Sequence, residues 1–148
     1  MLSYTEILYS ITSLLHSKFN DIKIYTNSEQ ISEQECFYIS ISPSIEKTRS
    51  KYTNYRKMYI DIKYFLNEHD KKIKIYEMAD KLNKIFNSYI EVKDRRLNVI
   101  ASNIKFLKDD ISDFLNYSIE IEFIDVKDLE FKTNKLMQHI DIKREEIK

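Results

Sequence analysis

Glycine is absent from all 148 residues of the chain. Walker loops and dinucleotide-binding turns need glycine, because backbone at positive φ must approach a phosphate with no Cβ in the way. Both kinds of nucleotide site are excluded by inspection. Calcium loops of the EF-hand type would lack the glycine of their sharp bend for the same reason. Proline and cysteine occur once each, as Pro43 and Cys36. One cysteine builds neither an internal disulfide framework nor a multi-cysteine zinc site. A charge surplus is missing too, since 24 Lys and Arg are balanced by 24 Asp and Glu. Tight nucleic-acid binding draws on counterion release by a basic surplus or a concentrated basic face, and the counts show neither. No apolar run approaches the ~20 residues that cross a bilayer, and no signal-peptide core follows Met1, so neither membrane spanning nor Sec export is expected.

What is present fits one globular domain of 17.9 kDa, with 43% hydrophobic and 32% charged residues. Tyr4, Ile7, Leu8, Ile11, Leu14, Leu15 and Phe19 recur at helical spacing, so residues 3–19 read as an amphipathic helix. Ser3 and Glu6 form the S-x-x-E pattern of a capping box. A short strand is expected at Ile22–Tyr25. Phe37, Ile39, Ile41 and Ile45 then alternate with Tyr38, Ser40, Ser42 and Ser44, which predicts a strand with one buried face. Pro43 lacks a ladder N–H, so this strand should lie at an edge or bulge there. Met58, Ile60, Ile62 and Tyr64 repeat the alternation, and the intervening Glu46–Asn54 reads as the extended, exposed tip of a long β-hairpin.

Ile75, Met78, Ala79, Leu82, Ile85 and Phe86 mark a second helix over about residues 70–87. Strands follow at Ile90–Val92, Leu97–Leu107 and Leu115–Val126. The expected fold class is α+β: an antiparallel or mixed sheet with a long hairpin, flanked by two amphipathic helices. Leu129, Phe131, Leu136, Met137 and Ile140 predict a C-terminal helical extension over 128–148, outside a single domain of residues 1–127.

The chemistry-bearing residues are few. Cys36 opens a strand with no histidine near it in sequence (His16, His69 and His139 lie elsewhere), so it reads as a small buried hydrophobe. Glu68-His69-Asp70, and Asp109-Asp110 with Asp113, read as helix-entry and turn residues rather than metal ligands. No metal and no cofactor is expected. Asp61-Ile62-Lys63 matches the acid-x-lysine strand of a metal-dependent nuclease, with Glu120 or Glu122 as a further carboxylate. Asp21-Ile22-Lys23, Glu91-Val92-Lys93, Asp125-Val126-Lys127 and Asp141-Ile142-Lys143 match equally well. Five matches in one lysine-rich chain reflect period-two patterning of solvated strand faces, with cross-strand ion pairs between neighbours. The nuclease stays as the alternative from a different functional class.

What remains is surface. Eleven tyrosines and eight phenylalanines exceed what the core positions require. Arg49, Lys51, Tyr52, Tyr55, Arg56 and Tyr59 cluster at the hairpin. Tyrosine and arginine are the residue types enriched at interface centres, so these six are the candidate interface residues. Base stacking on such tyrosines is the nucleic-acid alternative.

The arrangement resembles the tail terminator proteins of long-tailed phages and phage-tail-like particles, in the group found in phages of low-GC Gram-positive hosts. The first helix followed by Asp21-Ile22-Lys23-Ile24-Tyr25, the strand start Glu35-Cys36-Phe37-Tyr38-Ile39, the stretch Tyr55 to Phe65 and the late strand Tyr117 to Phe123 carry the resemblance. It implies a small α+β subunit without catalytic activity that forms a hexameric ring at the head-proximal end of a tail tube. Implied partners are further copies of the chain, the tube protein, a neck or collar protein and, in a contractile particle, the sheath, with DNA only in transit through the lumen. The implied location is a virion or a phage-tail-like bacteriocin particle, assembled in the host cytoplasm.

Overall fold

A computed structural model describes residues 1–26, 35–66, 72–108 and 113–127. Helix α1 (Tyr4–Lys18) begins at the capping box read from the sequence. Ser3 Oγ accepts from the Glu6 N–H at 3.1 Å, and the Glu6 side chain accepts from the Ser3 N–H at 3.4 Å. Its Ile7, Ile11 and Leu15 recur every fourth residue and are buried as one stripe.

The strands are β1 (Lys23–Tyr25), β2 (Cys36–Thr48), β3 (Thr53–Phe65), β4 (Tyr89–Val92), β5 (Arg95–Lys108) and β6 (Asp113–Val126), and helix α2 (Lys72–Ile85) lies between β3 and β4. They form one six-stranded sheet in the order β1-β2-β3-β6-β5-β4. β1 runs parallel to β2, and every other pairing is antiparallel. The fold is thus α+β with a mixed, curled sheet, as the patterning predicts. The expected C-terminal helix falls on residues outside those described.

One face of the sheet carries the core. Phe37 and Ile39 of β2, Met58, Ile60, Ile62 and Tyr64 of β3, and Leu115 through Phe123 at alternate positions of β6 are buried against α1 and α2. Helix α2 contributes Ile75, Met78, Ala79 and Leu82, with Phe86 just past its end. Each such side chain contributes ~1.5–3 kcal/mol by leaving water, so the register that keeps this face inward is strongly specified.

Two sequence expectations are revised. The hairpin tip is short: β2 and β3 stay paired out to Thr48 opposite Asn54, which leaves four loop residues, Arg49–Tyr52. Ile45, assigned to the buried face, is exposed and opposite Lys57, because the register shifts between Pro43 and Ile45. The extra residue of that bulge moves every later β2 side chain to the other face. Both features expected of Pro43 occur together. Among the described residues β1 covers β2 only at Cys36–Tyr38, which leaves Pro43 on an open edge as well as at a bulge.

Among the described residues the lack of glycine leaves one mark on the backbone. Lys93, in the two-residue turn joining β4 to β5, has φ 57°, a left-handed conformation that glycine adopts at lower cost.

Candidate functional site

Alternation along β3 separates the six candidate interface residues. Tyr55 and Tyr59 face away from the helices, half-buried, and Arg49, Lys51 and Tyr52 sit exposed on the tip loop. Arg56 points the other way. It is in phase with Met58, Ile60, Ile62 and Tyr64, and its side chain is only 1% exposed.

Its surroundings form a closed polar network. The Arg56 Nε donates to Glu46 Oε1 at 2.7 Å, and Nη1 donates to the Leu2 carbonyl at 2.6 Å and to Asp125 Oδ2 at 3.1 Å. Asp125, buried on β6, also accepts the Leu2 N–H at 2.8 Å, the Val126 N–H at 2.9 Å and Arg95 Nη1 at 2.7 Å. The Tyr4 hydroxyl donates to Glu46 at 2.7 Å, and the rings of Tyr4 and Phe123 lie 5.0 Å and 5.3 Å from the Arg56 guanidinium carbon. Burial pushes the Asp125 carboxyl up, but the two backbone N–H groups and the charges of Arg95 and Arg56 outweigh it and hold it below the ordinary value. Glu46 is held low by the Tyr4 hydroxyl and by Arg56. The network joins the N-terminal residues to β2, β3, β5 and β6 directly beneath the tip.

The tip loop is rigid without glycine. The N–H groups of Arg49 and Ser50 donate to the Thr53 carbonyl at 3.0 and 3.1 Å, and Ser50 Oγ accepts the N–H groups of Tyr52 and Thr53. The Lys127 N–H donates to the Tyr52 carbonyl at 2.8 Å and fastens the loop to the end of β6. Three apolar residues that the sequence reading did not place on the surface border it: Ile45, Ile124 and Val126 are exposed on the face opposite the helices. Ile45 was hidden by the bulge. Ile124 and Val126 were legible as the outward phase of β6.

That outer face carries a ladder of tyrosines and charges. Tyr55 donates to Glu122, Lys57 pairs with Glu120 at 3.4 Å, and Lys63 lies 5.8 Å from the centre of the Tyr38 ring. The carboxylates of Glu122 and Glu120 raise the pKa values of Tyr55 and Tyr59. The strands bearing Asp61 and Glu120 are indeed neighbours, but Asp61 stands opposite Ser118, while Glu120 stands opposite Tyr59. Asp61 accepts from Ser118 and from Ser42, and Glu120 is engaged by Lys57. Among the described residues no three His, Cys, Asp or Glu side chains converge as metal ligands would. Cys36 is buried, whereas Glu68-His69-Asp70 and Asp109-Asp110 lie outside the described residues. A cleft of about 780 Å³ between α1 and β1 brings His16 and Asp21 to its wall among mostly hydroxyl and apolar groups. The tip with its apolar border is the candidate site.

The model of the family described as "Phage tail terminator protein" matches residues 6–133. A comparison with curated proteins gives no significant match. A solved structure covering 86% of this chain and 97% of its own aligns with a TM-score of 0.52 at 10% identity, a likeness of fold alone.

Proposed function

The chain belongs to the phage tail terminator family, a structural family of the virion, and we propose that six copies close into a ring that caps the head-proximal end of a tail tube. In this reading the ring stops tube growth at its set length and presents its other side to a neck or collar protein. In a contractile particle it also meets the last sheath ring, and DNA passes through the lumen without being held. The particle is a phage or a phage-tail-like bacteriocin, assembled in the host cytoplasm.

The observation that carries the reading is the family match over residues 6–133. The sheet supports it physically. A ring needs two unlike patches on each subunit, joined by a rotation that closes. β2 beyond Tyr38 and β5 beyond Val99 have open edges on opposite sides of the sheet among the described residues. Such edges are aggregation hazards unless something covers them, and a neighbouring subunit would do so. Arg49, Lys51, Tyr52, Tyr55 and Tyr59 supply contact residues at the tip, and Arg56 acts from beneath by holding the tip in place.

Electron microscopy of particles lacking the protein tests the assignment. Overlong tubes are expected, and tubes of normal length would refute it. Light scattering of the purified protein, alone and with tube ends, should reach a mass of six subunits.

A further inference from the structure

The tip carries charge that the described residues leave uncompensated. From Lys47 to Asn54 the sequence holds Lys47, Arg49 and Lys51 and no acid. Lys47 lies 5.7 Å from the centre of the Tyr55 ring and Lys51 5.4 Å from that of Tyr52, and none of the three cations pairs with a carboxylate among the described residues. Elsewhere Lys57 pairs with Glu120, Lys93 with Glu6, Arg95 with Asp125 and Arg96 with Glu91. The described acids beside the tip are already engaged, Glu46 by Arg56 and Tyr4, Asp125 by two arginines, and Glu122 by Tyr55. Among the described residues the end of β2 and the hydrogen-bonded tip loop therefore gather three unmatched cations, Lys47 on the strand and Arg49 and Lys51 on the loop. Exposed Tyr52, Ile45, Ile124 and Val126 border them.

We propose that this tip is a docking prong for an acidic, partly apolar surface on a different protein, the rim of the tube end that the ring caps. The proposal rests on the capping reading and names the partner of the tip. A second copy of the chain is the poorer complement. Among the described residues Glu6 pairs with Lys93 and Glu91 with Arg96, Glu77 and Asp80 lie one helical turn before Lys81 and Lys84, and exposed Asp21 and Asp94 are single charges on separate turns. Duplex DNA matches the charge but leaves Ile45, Ile124 and Val126 facing phosphate. An acidic protein rim satisfies both halves of the patch. Three fixed cations would steer the approach and set orientation, while the apolar border would slow release.

The test uses the full-length chain with Lys47, Arg49 and Lys51 all changed to Glu, and a second variant with all three changed to Gln in case charge reversal impairs folding. Co-sedimentation with tubes reassembled from the particle's own tube protein is measured at low and at high salt, with oligomer mass and binding to duplex DNA measured in parallel. The unsubstituted protein should lose tube affinity about tenfold or more as salt screens the contact. The Glu variant should lose tube binding at both salt levels while keeping its circular dichroism and its oligomer mass, and the Gln variant should fall between. Tube binding retained by both variants overturns the proposal and leaves capping intact. A fall in oligomer mass overturns it in favour of a second copy. Loss of DNA binding with tube binding unchanged overturns it in favour of nucleic acid. If the unsubstituted protein neither binds tubes nor limits their length, capping and this proposal fall together.

Discussion

Replacing Asp125 by alanine probes the network that joins the N-terminal residues to four strands. The carboxylate is 3% exposed and accepts from Leu2, Val126, Arg56 and Arg95. Its removal strands the Arg56 guanidinium in a site that is 1% exposed. Deleting one partner of a buried pair costs ~3–5 kcal/mol, because the remaining charge keeps its desolvation penalty. Glu46 and the Leu2 carbonyl still serve Arg56, which places the expected loss at the low end, about 3 kcal/mol. With a urea slope of ~2 kcal/mol/M, the unfolding midpoint should fall by about 1.5 M. Arg95→Ala should cost much less, since Arg95 is a third exposed and its loss leaves Asp125 with Arg56 and two backbone donors. A double-mutant cycle of Asp125→Ala with Arg56→Met should show coupling of about 1 kcal/mol or more, because the double variant leaves no stranded guanidinium. Urea titration followed by circular dichroism measures all of these. A midpoint shift under about 0.5 M for Asp125→Ala, which is ~1 kcal/mol, would refute the reasoning that this network braces the sheet.

Three further predictions follow from single features. Ser3→Ala removes the α1 cap and should cost about 1 kcal/mol in the same titration, with Ser3→Asp close to neutral. Lys93→Gly should raise stability by about 0.5 kcal/mol, because glycine relieves the left-handed backbone at φ 57° and the Glu6 pair lost with the side chain is exposed and weak. Asp125 and Glu46 both titrate below their ordinary values in the folded chain. Their stabilisation is therefore complete above the unfolded carboxylate range near ~4 and is lost as pH falls through the folded values, so the thermal midpoint should be flat from pH 7 to 5 and drop steeply below pH ~4. In Asp125→Asn that drop should be shallower.

Helices α1 and α2, the strands and the inward phase of β3, β6 and β2 up to its bulge were legible because each is a local property. The 3.6-residue recurrence of Ile7, Ile11 and Leu15 and the period-two runs of β3 and β6 need no knowledge of the rest of the chain. Even the buried pair left a trace: Arg56 continues the inward phase of Met58 to Tyr64, and Asp125 continues that of Leu115 to Phe123. In the sequence Asp125 read as one of five acids on solvated strand faces, which its burial corrects, and Arg56 was grouped with its sequence neighbours at the tip. That β6 inserts between β3 and β5, with Arg56 opposite Phe123 and two positions short of Asp125, is a non-local pairing. Local patterning can turn a side chain inward, but it carries no information on which distant strand will supply the partner, and burial of a charge is stable only once that partner is in place. The same holds for the tip. Its cations are visible in the sequence, but only the folded sheet engages the acids around them elsewhere and brings Ile124 and Val126 beside Tyr52. A neutral composition thus became a charged, apolar-edged prong through tertiary pairing, because charges cancel by distance in space and not by their count along a chain.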